Sequence, residues 1–467
     1  GSQPTADASI AVLPFVNLSA DPENEYFSDG MTDEIINALA RIPGLRVPAR
    51  SSSFMFKGKS VEAREVGERL KVRTLLEGSV RKAGNRIRMS VQLINAPDGY
   101  QLWSNTYERT VADVFALQDE LTRAIVGELT SRVAGTTSDP VVRAATTLPE
   151  AYESYLQGCY FLNKRTTEGF LAAISHFRRA TEWDPEYADA YAQMAYCHAM
   201  TGLDTFGALA PLEAMPKAKE AVAKALALKP QLPEAHGAQA IIAAIYDWDW
   251  AAAELEFERA LSLGGRSPLI HLWYALFLCA MGRHDEGLRV VTTALAVDPL
   301  SLGLHLTLGR CLYLARRFEE ALANSLAILE AEPLHVPAYW EIGRAYEAMN
   351  RYSESVPIVE QGMRLAGRLP PLLMYAGAAY AGLGERGRAL DVAEELRRMS
   401  EQRYLSPTYE AHVRLALGDL EEAFRLYDVA YEHRSGWLLF TRAAATWDPV
   451  REDPRYLALL KRLRLDF

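Results

Sequence analysis

The 467-residue sequence predicts a multidomain chain: a small α/β domain with a mixed sheet, followed by an all-α superhelix of stacked helical hairpins. Three observations predict it. Small residues recur every 34 positions through the second half of the chain, large apolar residues and turn residues recur at the same step, and residues 9–135 show neither ladder. A fixed period of this length is the mark of a repeat architecture, whose units bury their apolar faces only against one another.

The first domain is read from its local patterns. Ser9–Phe15 is a short apolar run ending at Pro14, which predicts a buried strand. Met31–Arg41 has helical spacing through Ile35, Ile36, Ala38 and Leu39, and Val61–Leu70 predicts a second helix. Thr74–Lys82 and Arg86–Ile94 flank Gly84-Asn85, a short hairpin signal, and Gln101–Glu108 supplies a third antiparallel strand. A helix over about Val114–Val133 closes the domain. The expected order is β-α-β-α-β-β-β-α, a mixed sheet covered by helices.

The ladders define the remainder. Ile241, Ala275, Gly309, Gly343, Gly377 and Ala411 form one; Ala253, Gly287, Ala321, Ser355, Ala389 and Ala423 form a second. Leu278, Leu312, Tyr346 and Tyr380 form a third, of large residues. Two helices joined by a tight turn approach closely only where facing positions lack bulk, and large side chains then fill the adjoining gap. Gly282, Asn350, Gly384 and Gly418 mark the turns, while Asp184-Pro185, Lys229-Pro230, Asp298-Pro299 and Glu332-Pro333 mark helix ends. The pattern resembles the tetratricopeptide repeat family, with about eight repeats over 150–435, a longer first turn around Lys164–Gly169 and an insertion near Gly202–Pro216. Residues 436–467 are expected to form a C-terminal capping helix, Asp453-Pro454 being followed by Tyr456, Leu457, Leu460 and Leu463. Gly1-Ser2 reads as a cloning scar, 1–8 as tag and linker, 9–135 as the α/β domain and 136–149 as a second linker.

Residues 9–135 resemble the TolB-like amino-terminal domain found upstream of tetratricopeptide repeats in bacterial signalling proteins. The likeness is carried by Ile10-Ala11-Val12-Leu13-Pro14-Phe15, Asn17-Leu18-Ser19, Tyr26-Phe27-Ser28-Asp29-Gly30, Leu76-Glu77-Gly78-Ser79-Val80-Arg81, Leu102-Trp103 and Phe115-Ala116-Leu117-Gln118, and by Trp248-Asp249-Trp250 inside the repeats. The resemblance implies a sensory or regulatory module, of the kind that sits behind a class III adenylate cyclase catalytic domain or a winged-helix DNA-binding domain. Neither effector is in this sequence, and an upstream membrane anchor in the parent protein would lie outside it.

Composition narrows the function classes. The formal net charge is −10, and residues 1–135 hold 16 basic and 17 acidic residues against 34 and 43 in the remainder, which argues against nucleic acid as the repeats' partner. Cys159, Cys197, Cys279 and Cys311 are widely spaced in apolar contexts and read as free thiols, favouring a reducing, cytoplasmic compartment. The nine histidines show no His-Glu-x-x-His spacing and no Cys-His cluster, so no metal or other cofactor is expected. No apolar run is long enough to span a bilayer.

No motif of an enzyme active site is present: glycines never form a phosphate-cradling loop. Asp29, Asp33 and Glu34 cluster at an expected helix start, where free N–H groups stabilise carboxylates, so their reading is structural. Arg81, Lys82, Arg86 and Arg88 around the hairpin, with Arg50, Lys57 and Lys59 in a loop, read as solvated edges that discourage strand pairing. The better functional candidate is the concave face of the repeats, lined by first helices: Tyr196, Leu276, Arg310, Tyr313, Trp340, Arg344 and Glu347. Arg310 and Arg344 are equivalent positions in consecutive repeats and suit carboxylates of a peptide, with Trp340 and Tyr313 offering flat apolar contact; Arg344 also has Glu341 and Glu347 within reach on its own helix.

The expected function is therefore a non-catalytic protein–protein interaction and regulatory module that holds a protein or peptide partner in the groove, with self-association open to it. The alternative is a small-molecule sensor controlling an upstream adenylate cyclase or DNA-binding effector. A sensor requires a closed apolar pocket with convergent polar groups, whereas a scaffold requires an open groove.

Overall fold

The computed structural model describes residues 8–42, 44–110, 113–130, 146–205, 207, 209–265 and 267–467. Residues 1–7 and 131–145, with most of both expected linkers and the end of the helix expected over 114–133, lie outside the described residues. The chain divides into two compact units: Gly1–Arg165 with Ala172–Ala190 and Ala294–Ser301, and Thr166–Leu171 with Tyr191–Thr293 and Leu302–Phe467.

The first unit contains β1 (Ile10–Val12), β2 (Val16–Asn17), α1 (Glu25–Ala40), α2 (Arg50–Ser53), α3 (Ala63–Leu70), β3 (Thr74–Ala83), β4 (Arg86–Asn95), β5 (Gln101–Thr110) and α4 (Val114–Thr130). The sheet order is β1-β3-β4-β5, with β2 also beside β3. β1 and β2 run parallel to β3, and the β3–β4 and β4–β5 pairs are antiparallel. The single strand expected over Ser9–Phe15 is thus two, because Pro14 has no N–H for a ladder and Phe15 donates instead to the Thr32 hydroxyl, 3.0 Å away. The strand expected between the first two helices is an isolated Ser9–Arg46 bridge, which corrects the predicted order.

The hairpin falls where Gly84-Asn85 places it, Gly84 taking φ +56°. Along β4, Ile87, Met89, Val91 and Leu93 alternate inward and share a core with Ile35 and Leu39 of α1 and Leu117 and Leu121 of α4. Each such side chain contributes roughly 2 kcal/mol by leaving water. Val66 and Leu70 of α3 pack with Leu75 and Ala11 in a second cluster. The first core does not end with α4: Tyr152 and Leu156 of α5 (Pro149–Leu162) belong to it. The compact unit therefore runs past residue 135.

The helices after α5 pair in order: α6 (Thr167–Trp183) with α5, then α7 (Ala188–Thr201) with α8 (Pro211–Leu228), and α9 (Pro233–Ile242) with α10 (Trp250–Ser262). Next come α11 (Pro268–Ala280) with α12 (His284–Val297), α13 (Leu302–Leu314) with α14 (Phe318–Ala331), and α15 (Val336–Ala348) with α16 (Tyr352–Ala366). The last pairs are α17 (Pro370–Gly382) with α18 (Arg386–Gln402) and α19 (Thr408–Ala416) with α20 (Leu420–Glu432), followed by α21 (Pro454–Arg462). The insertion near Gly202–Pro216 is a connection up to Ala210, with Pro211–Pro216 already helical.

The small-residue ladder has a direct steric cause. A Cβ on Gly343 would lie 2.8 Å from Val359 of its partner helix and 3.1 Å from Tyr375 of the next repeat, so a first helix is pinched from two sides. The turns are left-handed at the same step: Gly282, Arg316, Asn350, Gly384 and Gly418 all have φ between +57° and +83°. Arg316 is the member that glycine spotting overlooks.

Trp248-Asp249-Trp250 acts as a staple for the end of the chain. Asp249 caps α10 by accepting from Ala252 N–H at 3.1 Å, Trp250 Nε1 donates to the carbonyls of Leu463 and Arg464 at 3.1 Å each, and Trp248 lies against Tyr431. The capping helix expected over 436–467 is confined to α21, whose Tyr456, Leu459 and Leu460 pack on Ala423, Phe424 and Tyr427; Leu457 points outward. Residues 436–450 instead form two short 3₁₀ turns, Gly436–Phe440 and Ala445–Val450.

Candidate functional site: an arginine and aromatic pocket in the second unit

The first helices α11, α13, α15, α17 and α19 lie side by side, and the residues that they turn inward meet the 3₁₀ segment 436–450. This segment is held in place by three contacts within the unit. Asp204 Oδ2 accepts from the Ser435 hydroxyl at 2.7 Å and from Trp437 N–H at 2.9 Å. Ala445 N–H donates to the Tyr313 hydroxyl at 3.0 Å, and Arg316 forms a bidentate pair with Asp448. The peptide-like occupant of the expected groove is therefore the protein's own chain.

Beneath that segment lies a cavity of about 90 Å³. Its walls include Arg310 and Tyr313 from α13, Arg344 from α15, Met374 and Tyr375 from α17, Tyr409 and His412 from α19, Tyr427 from α20, and Trp437, Phe440 and Trp447 from the covering segment. Glu341 sits between the two arginines: Arg310 Nη2 donates to one of its oxygens and Arg344 Nη1 lies 2.9 Å from the other. Arg344 Nε donates to the Tyr375 hydroxyl at 2.6 Å. Both guanidinium groups also face the Trp437 ring, at 5.2 and 5.5 Å from its centre.

The electrostatics follow from burial and pairing. Burial opposes the charge on Arg344, but Glu341 and Tyr375 outweigh it, so the guanidinium is held protonated. The Tyr313 hydroxyl is pushed up to about 12 by burial despite Arg344 beside it, and burial raises Tyr375 and Tyr427 further. These phenols remain neutral donors and acceptors at neutral pH. Behind the wall, Glu347 takes His412 Nε2 at 2.8 and 3.0 Å, with the Thr446 hydroxyl 3.4 Å from Nδ1. Two buried donors at the cavity, Arg310 Nε and Trp437 Nε1, have no well-aligned acceptor among the described residues, the Tyr409 hydroxyl being the oxygen near Trp437. An orphaned buried N–H costs about 1–3 kcal/mol.

Of the seven residues expected on the concave face, the fold brings Arg310, Tyr313 and Arg344 into this cavity and Glu347 directly behind it. Tyr196 and Leu276 are both buried, Tyr196 against Phe170, and neither lines this cavity. Trp340, half-buried, packs on the core of Val359, Leu373 and Tyr375 and does not line the cavity either. Sequence reading missed Tyr375, Tyr409 and His412, although the period holds them: Glu341, Tyr375 and Tyr409 are one 34-residue ladder, and His412 continues that of Arg310 and Arg344. Trp437 and Trp447 carried no periodic signal because they come from outside the repeats.

The other sequence candidates resolve into structure. Helix α1 begins at Glu25, six residues before the expected start, so Asp29, Asp33 and Glu34 lie inside it rather than on its free N–H groups. Cations hold two of them: Lys57 Nζ contacts the Asp29 oxygens at 2.6 and 2.7 Å, and Arg50 pairs with Asp33 at 3.0 Å. Burial still pushes the Asp33 carboxyl up to about 6 and that of Glu34 to about 7. Among the basic residues read as solvated edges, Lys82 also pairs with Glu153 and Arg81 donates to the Leu18 carbonyl. The fold also brings two widely spaced cysteines, Cys279 and Cys311, close enough for their thiols to influence one another. No group of three or more metal-ligating side chains occurs among the described residues, and no helix there is long and apolar enough to cross a membrane.

Comparison with known proteins bears on both parts. Residues 6–124 match the family described as HilA/YgeH-like transcriptional regulator, second domain, and residues 336–368 match a tetratricopeptide repeat. The chain is 41% identical over 190 residues to "Putative adenylate cyclase 3" of Rhizobium meliloti (strain 1021), covering 41% of this chain and 32% of that protein. It is 28% identical over 145 residues to the transcriptional regulator HilA of Salmonella typhimurium, covering 31% of this chain and 26% of that protein. The chain thus spans about a third or less of these relatives. Among solved structures, yeast Tom70 aligns with TM-score 0.43 at 17% identity over 68% of this chain and 67% of that one. A human IFIT1 dimer aligns with TM-score 0.44 at 15% identity, over 69% and 81%. For the amino-terminal domain the matching family model is the HilA-like one. The chain therefore joins a small mixed-sheet domain similar to the second domain of HilA-like regulators to an array of tetratricopeptide repeats.

Proposed function

We propose that this chain is the non-catalytic interaction and regulatory part of a larger bacterial signalling protein, and that the surface of its repeats around the covering segment 436–450 holds the partner. The observation that carries this reading is the stack of helical hairpins, a surface with no chemistry of its own and a large area for recognition. Likeness to a cyclase and to a transcriptional regulator supports a shared module that serves different effectors.

A pull-down from lysate of the source organism, comparing the native chain with an Arg310→Glu, Arg344→Glu variant of unchanged helicity, tests it. One saturable partner held by the native chain and lost by the variant is the expected result. Equal retention by both forms, or none by either, overturns partner binding at this face.

A second reading, a small-molecule sensor, is favoured by one feature: the face is covered by residues 436–450, which leave a largely apolar cavity with converging polar groups. In that reading a ligand stabilises one arrangement of the cover and so shifts the equilibrium that the effector reads.

A further inference from the structure

We propose that the cavity under residues 436–447 is a binding site for a small organic carboxylate, a monoanion carrying a short or flat apolar body. The proposal rests on the sensing reading and names its ligand.

The polar groups left over at the cavity are of one kind. Arg310 Nε and Trp437 Nε1 are both N–H donors, and Arg310 makes no hydrogen bond except that from Nη2 to Glu341 among the described residues. Buried donors without well-aligned acceptors call for an oxygen. The charge on that oxygen follows from its neighbours. Arg310 and Arg344 share the single carboxylate of Glu341, which leaves that trio one positive charge in excess. The remaining carboxylate nearby, Glu347, is engaged by His412. A monoanion balances the trio, whereas a dianion such as phosphate would crowd negative charge against Glu341 and Glu347. Guanidinium groups recognise a planar carboxylate through parallel N–H bonds.

The rest of the wall sets the body of the ligand. Tyr313, Tyr375, Tyr427, Trp447 and Phe440 offer rings, with no lysine among the lining residues. An apolar cavity that takes benzene is about 150 Å³, so about 90 Å³ takes a carboxylate with its stem and leaves a larger body to extend toward the opening. An extended peptide is disfavoured, because its path is filled by the covering segment, anchored through Asp204, Tyr313 and Arg316.

Titration calorimetry of the full chain with benzoate, with its neutral counterpart benzamide and with inorganic phosphate tests the proposal. Benzoate is expected to bind saturably and about tenfold or more tighter than either. Arg310→Met should weaken benzoate by about tenfold, and Trp437→Phe, which keeps a ring and removes only the N–H, by about fivefold, with melting temperature little changed. Benzoate binding no tighter than benzamide, or binding untouched by both variants, overturns the site. A short peptide ending in a free phenylalanine carboxylate forms a further arm: tighter binding than benzoate overturns the small-acid ligand. Calorimetry reads the chain alone, so its failure strikes the ligand. Benzoate binding that leaves partner capture unchanged would instead overturn the sensing reading and leave the site standing.

Discussion

Asp204 shows how much a single side chain decides in this molecule. It is 3% exposed, it accepts two hydrogen bonds from the start of the covering segment through Oδ2, and its Oδ1 has no partner. Burial pushes its carboxyl up to about 6 from an ordinary 3.8, the bonds from Ser435 and Trp437 offsetting only part of the shift. The folded state therefore holds the proton to higher pH than the unfolded chain does. That contribution to stability is complete below about pH 4 and is lost as pH rises through about 6. Asp204→Asn keeps an oxygen for Ser435 and Trp437 and never ionises. Relative to the native chain, the variant should gain on the order of 2–3 kcal/mol between about pH 4 and pH 7, read by urea unfolding across that range. A difference that stays flat with pH would remove the buried charge from the account. At the same scale, the pairing of Arg344 with Glu341 on its own helix was legible from their spacing. That Arg310 would claim the other oxygen of Glu341 was not, because the two lie 31 residues apart on different helices.

At the scale of elements, α5 shows where periodicity misleads. The bounds 150–435 assign it to the repeats, yet Tyr152 and Leu156 complete the core of the α/β unit, and a Cβ on Gly30 of α1 would lie 2.7 Å from Leu156. Leu156→Ala should cost about 3 kcal/mol by leaving a cavity in that core. The loss should appear as faster amide exchange along α1 and α4. If exchange there is unchanged while the repeats loosen, α5 belongs energetically to the repeats. Elements with local determinants were read well: β3 and β4 turn at Gly84-Asn85, and α16, α18 and α20 begin just after Asn350, Gly384 and Gly418. The division of the first strand at Pro14 and the early start of α1 were read less well. There the deciding contact, Phe15 N–H to Thr32, joins residues that no local pattern connects.

For the molecule as a whole, both units are held by packing and ion pairs. Two histidines go to acids, His236 contacting Glu256 at 2.5 Å and His412 contacting Glu347, and no three-ligand group forms among the described residues. A chelator should therefore leave the melting temperature where it is. A ligand that binds only the native state raises stability with its logarithmic concentration, so a fall of several degrees in EDTA would reveal a metal that the fold depends on.

The division of the chain into a mixed-sheet domain and a helical array was set by sequence alone, because periods of two, 3.6 and 34 residues act locally and repeat often enough to be counted. Arg310, Tyr313 and Arg344 were legible as neighbours for the same reason. Only the tertiary structure decided what they face. The covering segment 436–450 reaches them from more than 90 residues away along the chain, and Trp437, Trp447 and Asp204 belong to no ladder. A register places residues on a face, but it carries no information about a non-repeating segment that closes over that face, since that closure depends on a few long-range contacts rather than on any pattern in the chain.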